Sequence, residues 1–346
     1  MVPKVDQASR RPRAMGQPTL ELVAARAGVS RASVSRVVNG ASSVSPDIRE
    51  SVQRAVDELR YVPNLAARSL ATRRTDAIAL VLSEPPTRVF SDEPFFAGVV
   101  RGVSEELESL QRHLILVVAN ATTDRDRVER HIAASHVDGV LAVSTHGADP
   151  LPQTLARKGI PVACSGRVAT RRGLSYVDVD NVGGAFAAVG HLLQRGRRRI
   201  ATITGPQDSV AGVDRLTGYR ETLRSRRRRS IVAVGDFTRE SGATAMRQLL
   251  DDDPKLDGVF VANDMMAIGA LRTLQATGRR VPEDVSVVGF DDIYAARLTE
   301  PALTTVHQPT EDIGRELVRM LLRLIGGVQG NRPVILPTEL VVREST

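Results

Sequence analysis

Short, unbroken apolar runs recur along the chain after Asp76, most of them separated by stretches long enough for an amphipathic helix. Strands that are apolar throughout, instead of alternating with polar residues, are typical of parallel sheets covered by helices on both faces. The pattern therefore predicts doubly wound α/β architecture for the body of the chain. The predicted strands are Ile78–Leu82, Leu114–Ala119, Gly139–Val143, Val162–Cys164, Tyr176–Val179, Ile200–Thr204, Gly258–Ala262 and Val285–Gly289.

Polar residues collect directly after these predicted strands. In doubly wound folds, ligands bind at the carboxyl ends of the strands, so this pattern predicts a ligand site there. The residues concerned are Ser83, Asn120, Ser144, Arg167, Asp180-Asn181, Gly205-Pro206, Asn263-Asp264 and Asp291-Asp292.

The segment before the body reads differently, as three short helices. Apolar residues recur at helical spacing. Gly28 can adopt the left-handed backbone conformation that a turn between the first two helices needs. Helix, glycine turn and helix form the helix-turn-helix pattern of DNA-binding proteins. Each helix is preceded by a capping residue: Thr19 before Leu20–Ala27, Ser30 before Arg31–Asn39, and Ser45 before Pro46–Leu59.

The second of these helices is the predicted recognition helix. Its valines face the core, which leaves the polar residues at its N-terminal end available to meet base edges in the major groove. Arg36 suits bidentate hydrogen bonding to guanine, with Arg31 as a second candidate, whereas serine and asparagine suit phosphates. The predicted DNA contacts in this segment are Thr19, Ser30, Arg31, Ala32, Ser33, Ser35, Arg36 and Asn39.

The positive charge supports the same interpretation. Residues 1–75 hold 13 Lys and Arg against 6 Asp and Glu, a net charge of +7, which equals the net charge of the whole chain. The later residues hold 34 of each sign. A basic segment joined to a neutral body is the expected electrostatic footprint of a DNA-binding protein. A disordered basic tail explains only residues 1–17.

Cellular location follows from two absences in the sequence. The first 17 residues contain no apolar stretch of the kind found in secretory signals, and the chain has no apolar run of membrane length. Cys164 is the only cysteine and lies in the apolar segment Ile160–Cys164, which predicts a buried residue and not a reactive thiol. We expect a cytoplasmic protein.

A short helix is predicted between the two parts of the chain. Pro63 breaks the preceding helix, and Asn64 can cap about two further turns within residues 63–75. A helix this short is marginal in water unless something holds it, so this segment is a candidate switch.

The strings "AGVS", "VSRVVN" and "YVPN" resemble the headpiece and hinge signature of the lactose/galactose repressor (LacI/GalR) family. The resemblance implies a homodimer whose hinge helices meet in the minor groove of a palindromic operator. It places Asn64, Ala67 and Leu70 on the DNA, with Leu70 prying open the central base step. Alternatively, Leu70 packs on the body. Because Arg31-Ala32 departs from the family pattern, the operator sequence does not carry over.

The strings "GVFVANDMMAIGAL", "VPEDVSVVGFDD" and "PALTTVHQP" extend the resemblance over the body, and hence to periplasmic sugar-binding proteins. The implied domains are a helix-turn-helix at 18–62, a hinge at 63–75 and a core at 76–346. Within the core, an N-subdomain spans about 76–180 and 309–335, and a C-subdomain spans about 181–307 and 336–346. The implied effector contacts are Arg167, Arg215, Phe237, Asn263, Asp291 and Gln308. Phe95 and Phe96 either close the cleft or belong to the core.

The resemblance thus implies a repressor that a sugar releases from its operator. A nucleoside or nucleobase acting as co-repressor is the alternative, and a transport binding protein is a remote one, because it would need a signal peptide and no headpiece. No nucleophile elbow, P-loop or dinucleotide fingerprint is present, so we expect no enzyme and no cofactor. No His, Cys or Glu set accompanies Asp251–Asp253 or Asp291-Asp292, so we expect no metal.

One departure from the family pattern is the run Arg226–Arg229, which leads directly into a strand at Ile231–Val234 without a glycine turn. The run indicates a shortened loop. We interpret it as a solvated surface, with a second DNA site as the less favoured alternative.

Overall fold

The computed structural model describes residues 18–38, 43–62, 74–91, 94–119, 125–134, 137–143, 147, 149–168, 174–328 and 333–346. The chain divides into two compact units between Thr75 and Asp76.

The first unit contains the predicted helix-turn-helix. Its helices are α1 (Leu20–Ala27), α2 (Arg31–Val38) and α3 (Pro46–Leu59). Gly28 has φ 69°, the left-handed conformation that the turn requires, and its N–H donates to the Ala24 carbonyl. Val23, Val34 and Val52 are completely buried in the centre of the unit, so the spacing of the apolar residues was a reliable guide.

Two of the three predicted caps form hydrogen bonds. The Leu22 N–H donates to Thr19 Oγ1 at 3.4 Å, and the Ser33 N–H donates to Ser30 Oγ at 3.1 Å. Ser45 occupies the N-cap position of α3 as predicted, but its side chain makes no capping hydrogen bond there. Pro46 in the first turn has no N–H, so one fewer backbone donor of that turn needs a hydrogen-bond acceptor.

Among the described residues, the second unit contains two six-stranded sheets, which confirms the predicted α/β core. All the strand pairs of the first sheet are parallel. In order across the sheet, its strands are β11 (Val334–Leu336), β5 (Ser175–Val179), β4 (Val162–Ser165), β3 (Gly139–Val143), β1 (Ala77–Leu82) and β2 (His113–Val118).

The second sheet has the same strand topology, except that its edge strand β12 pairs with β10 in the antiparallel direction. Parallel sheets with an antiparallel edge are common in doubly wound folds. Across this sheet, the strands are β12 (Glu339–Val341), β10 (Thr304–His307), β9 (Ser286–Asp291), β8 (Gly258–Val261), β6 (Ile200–Thr204) and β7 (Ile231–Val234).

Helices cover both sheets and bury their apolar faces against the strands. Within the described ranges, no helix is both long enough and apolar enough to cross a bilayer. The helices of the second unit are α4 (Pro86–Ser91), α5 (Pro94–Ser109), α6 (Arg125–Ala134), α7 (Leu151–Arg157), α8 (Asn181–Gln194), α9 (Val210–Ser225), α10 (Arg239–Asp252), α11 (Asp264–Ala276), a 3₁₀ turn (Tyr294–Arg297) and α12 (Thr310–Ile325).

The described chain passes between the sheets at three places: after β5, after β10 and between β11 and β12. Helix α12 consequently packs against α5 over the first sheet, although their sequences lie about 200 residues apart. The approach is close, because a Cβ added to Gly102 would lie 1.9 Å from the Glu311 carbonyl oxygen. Each sheet with its helices is called a lobe below.

Candidate DNA-contacting helix and ligand cleft

Helix α2 presents its polar N-terminal end on the surface of the first unit. Val34 and Val37 are buried, and this orients the rest of the helix. Arg31, Ala32 and Arg36 are exposed, while Ser33 and Ser35 are half-buried. Ser30 Oγ lies 2.9 Å from Ser33 Oγ, so both hydroxyls take part in the turn that starts the helix.

Arg31 is held by an acidic residue of the preceding helix. Its Nε lies 2.9 Å from Glu21 Oε1, and both side chains are largely exposed. A backbone hydrogen bond and a hydrogen bond from Thr19 lower the pKa of Glu21, with a smaller contribution from Arg31. Because an exposed ion pair contributes little free energy, DNA phosphates or bases can compete for Arg31.

Four predicted DNA contacts cannot be placed. Asn39, Asn64, Ala67 and Leu70 lie outside the described residues, as do residues 63–73 of the predicted hinge.

All six predicted effector residues line one open cleft between the two lobes of the second unit. Both lobes contribute polar side chains to the cleft, and aromatic rings lie beside them. The six residues are Arg167, Arg215, Phe237, Asn263, Asp291 and Gln308.

Arg215 is the buried centre of the cleft wall. Its Nε donates to Asn181 Oδ1 at 2.8 Å, and its Nη1 donates to the Ala262 carbonyl at 2.6 Å. Nη1 also lies 3.4 Å from Asp291 Oδ1, and the guanidinium carbon stacks 3.6 Å above the centre of the Phe290 ring. Desolvation lowers the pKa of Arg215, while Asp291 opposes that shift. The guanidinium is thus fixed before any ligand arrives.

Asp291 and Phe237 enter the cleft on unusual backbone. Their φ angles are 115° and 71°, in the left-handed region that residues other than glycine seldom adopt. Gln308 Nε2 donates to Asp291 Oδ1 at 2.6 Å. Asn263 caps α11 by accepting from the Met266 N–H at 2.9 Å, and it donates to the Phe237 carbonyl at 3.0 Å. Strained backbone held by several contacts is common at binding sites.

Behind Asp291 lies a second carboxylate, Asp264, which is completely buried. One oxygen accepts from the Thr305 hydroxyl at 2.6 Å, and the other accepts from the Ile293 N–H at 3.0 Å. Burial raises the pKa of Asp264 well above its usual range, and the neighbouring Asp291 charge raises it further. Burial also raises the pKa of Asp178 in the opposite lobe.

Among the described residues, contacts of several kinds join the lobes across the cleft. Arg167 Nη2 lies 3.0 Å from Asp214 Oδ1, and the Gly147 N–H donates to the Asp208 carbonyl at 2.7 Å. The Arg88 guanidinium carbon lies 5.6 Å from the centre of the Phe237 ring. Arg167 was predicted to contact effector, yet in this structure its guanidinium is engaged by the opposite lobe.

The two units match two family models. Residues 19–64 match the model described as bacterial regulatory proteins, lacI family, and residues 189–346 match a periplasmic binding protein-like domain. The HTH-type transcriptional regulator CelR of Thermobifida fusca is 51% identical over 336 residues, which span 95% of this chain and 98% of CelR. This chain belongs to the LacI family. The PurR repressor of Escherichia coli O139:H28 is 32% identical over 94% of this chain and 96% of its own length.

Solved structures agree with this membership. A CelR–cellobiose complex is 49% identical and superposes with a TM-score of 0.76 over 95% of this chain and all of that one. The lac repressor dimer bound to operator and the anti-inducer ONPF is 29% identical, with a TM-score of 0.83 over 95% of this chain and 99% of that one. The chain is accordingly a LacI-family transcriptional regulator, as the sequence resemblance implied.

Several residues of this LacI-family cleft were not predicted. Glu84 and Arg88 line it from the end of β1 and from α4, a helix whose six residues carry too little periodicity to be recognised. Asp178 lies within β5, and the sequence pattern indicates as candidates only polar residues that directly follow a predicted strand. Phe95 and Phe96, for which the sequence left two alternatives, both line the cleft, and Phe96 is also buried in the core.

Among the described residues, no group of three His, Cys, Asp or Glu side chains is placed to hold a metal ion. Cys164 is completely buried, and desolvation raises the pKa of its thiol to about 12. Its burial agrees with the prediction of an unreactive residue.

Proposed function

We propose that this regulator is a dimeric repressor that leaves a palindromic operator when a sugar fills the cleft between its lobes. The observation that carries the proposal is the cleft itself, in which six polar or aromatic side chains converge in a chain 49% identical to a regulator solved with cellobiose. A β-linked disaccharide of the cellobiose type is the effector class that this likeness supports.

The cleft chemistry suits such a ligand. Asp291, Asn263 and Arg215 offer acceptors and donors that pair with vicinal hydroxyls, and the Phe237 ring offers an apolar surface for the hydrogen-bearing face of a pyranose. Because Arg215 and Asp291 are already fixed by protein hydrogen bonds, binding need not order them. We assign direct effector contacts to these residues and to Gln308.

The first unit supplies operator recognition in this proposal. Arg36, with Arg31 released from Glu21, reads base edges, and Ser33 and Ser35 contact phosphates. One such unit reads only a half-site, so a palindrome requires two chains. The lac repressor solved as an operator-bound dimer supports the same assembly. Edge strand β2 leaves Leu116 39% exposed, an apolar edge that a second copy would cover.

Regulation by ligand binding requires no catalysis, and the relatives are named as regulators. We therefore infer a protein without enzymatic activity. We also infer a cytoplasmic location, because a bacterial regulator that binds an operator acts on the chromosome.

The test begins with operator selection from random duplexes by the full chain, followed by gel shift with cellobiose, glucose and hypoxanthine. We expect selection of a palindrome and release by cellobiose. The variant Asp291→Asn should bind the same palindrome but respond at least tenfold more weakly, because hydrogen bonds to a charged group contribute about 1.5–3 kcal/mol. Asparagine also tolerates the positive φ angle.

Asp284→Asn is the matched control, since Asp284 is a carboxylate of the same lobe outside the cleft, where it pairs with Arg280. Failure to select any palindrome would refute operator binding. Tighter operator binding with hypoxanthine, and no response to cellobiose, would refute the sugar assignment in favour of a co-repressor.

A further inference from the structure

Two arginine-rich connections meet at one edge of the second sheet. Residues 195–199 lead into β6, and residues 224–230 lead into β7. These strands pair in parallel with Ala201 opposite Ile231, so their N-terminal ends lie side by side. The Arg228 Nη1 also donates to the Arg198 carbonyl at 2.9 Å. We call the combined patch the arginine surface; its members are Arg195, Arg197, Arg198, Arg199, Arg224, Arg226, Arg227, Arg228 and Arg229.

The arginine surface carries charge that nearby acids do not balance. Neither connection contains an acidic residue. Among the described residues, the ion pair within this set joins Arg199 to Asp253 at 2.6 Å. Asp257 accepts from backbone N–H groups of the same connection, so its charge offsets one further arginine and leaves most of the nine without a carboxylate. The equal totals of acidic and basic residues after residue 75 therefore conceal a strongly positive edge.

The composition of the surface narrows what can bind it. Eight of its nine arginines are exposed, and Arg197 is half-buried. Among the described large apolar residues, none of the exposed ones falls in either connection. Protein interfaces depend on an apolar centre depleted of charge, and single-stranded nucleic acids stack their bases on aromatic rings. The phosphate backbone of a duplex needs neither, and guanidinium groups match phosphate geometry.

We propose that the arginine surface binds the phosphate backbone of double-stranded DNA without reading its sequence, as a contact additional to the helix-turn-helix. The sequence alone favours a solvated surface for Arg226–Arg229, and the second connection beside it is what changes that interpretation. The proposal rests on the operator binding proposed above, because a chain held at an operator meets neighbouring duplex at high effective concentration. A surface that is weak on its own then contributes to occupancy. It lies at the N-terminal ends of β6 and β7, opposite the strand ends that line the cleft, so effector and duplex do not compete for it.

The test compares full chains carrying three charge removals. The first variant is Arg226→Gln, Arg227→Gln and Arg229→Gln, which keeps the Arg228 hydrogen bond to Arg198. The control variant is Arg157→Gln, Arg247→Gln and Arg323→Gln, which removes the same charge from exposed helical positions elsewhere in the second unit. Fluorescence anisotropy measures binding to a duplex without operator at several salt concentrations.

The slope of log affinity against log salt concentration should fall by about 2–3 in the first variant, since each lost phosphate contact removes about 0.9. The control should retain nearly the wild-type slope. Equal slopes in both variants would overturn the proposal. Loss of binding to polyglutamate in the first variant, with the duplex slope unchanged, would overturn it in favour of an acidic polypeptide.

Operator discrimination is measured in the same titrations and reports separately on the helix-turn-helix. If all variants bound operator and non-operator duplexes equally, the proposed operator recognition would fail. The slope difference would still decide the role of the arginine surface.

Discussion

Arg167 can have one of two roles, and they differ in how much effector affinity is lost when the side chain is removed. If it binds effector, truncation removes a charged hydrogen bond of about 1.5–3 kcal/mol, a loss of roughly 13- to 160-fold in affinity. If it acts through Asp214, it stabilises the closed cleft by holding the two lobes together. The pair is solvent-screened, because 56% of the Arg167 side chain is exposed. An exposed pair contributes about 0.2–1 kcal/mol, or roughly 1.4- to 5-fold.

The structure favours the second role, since both Asp214 oxygens lie within 3.3 Å of Arg167 Nη2. We predict that Arg167→Ala and Asp214→Ala each weaken cellobiose binding by no more than about fivefold. The double variant should bind cellobiose no more weakly than either single variant, because each single substitution already removes the whole ion pair that stabilises the closed cleft.

Isothermal titration with cellobiose of the four proteins measures the coupling directly. Glucose serves as a second titrant to show that the loss follows lobe closure and not one sugar hydroxyl. The reasoning fails if Arg167→Ala loses more than tenfold while Asp214→Ala binds as the wild type does. Arg167 would then contact the effector itself, as the family resemblance implied.

Three further outcomes are expected. Because the pKa of Asp264 is raised in the fold, the native protein holds a proton that the unfolded chain releases, so stability falls as pH rises through the native pKa. In urea titrations, the unfolding free energy of the wild type should therefore fall relative to that of Asp264→Asn as pH rises above the ordinary pKa of an aspartate; a difference that does not change with pH would contradict this. Thr19→Ala should lower the unfolding free energy of the first unit by about 0.5–1 kcal/mol, the lower end of the range for an N-cap, because the Leu22 N–H to Thr19 hydrogen bond is long. An unchanged midpoint of thermal unfolding would contradict a capping role for Thr19. Leu116→Glu should yield monomers by analytical ultracentrifugation, whereas persistence of the dimer would exclude β2 from the interface.

The sequence predicted the long elements well because their patterns are local. Helix α3 and strands β3 and β6 have the predicted bounds, since capping signals and unbroken apolar runs mark their ends. Strands β10, β11 and β12 were not predicted. β10 reads Thr-Thr-Val-His, and its two threonines are completely buried. Their hydroxyls find partners that are distant in sequence: Thr305 donates to Asp264 of α11, and Thr304 accepts from the Arg343 N–H. The other two strands have three residues each, which is too few for a period to show.

The candidate cleft shows a similar division. The family resemblance implied all six effector residues. Five of them lie at or just after strand ends, which meet at one edge of each sheet, whereas Arg215 lies on helix α9. What the sequence could not show is which partners those side chains already have. The Arg167–Asp214 pair joins residues on different lobes, and the positive φ of Asp291 depends on its surroundings.

The three passages of the chain between the sheets have a consequence for biosynthesis. The first lobe begins at β1 but is incomplete until α12 and β11 emerge from the ribosome, more than 200 residues later. Until then, the α5 face that α12 covers stays open, including the glycine that accommodates the close helix approach. The helix-turn-helix is made first and is a separate compact unit. A nascent chain can therefore carry a folded DNA-binding unit well before it has a cleft with which to sense a ligand.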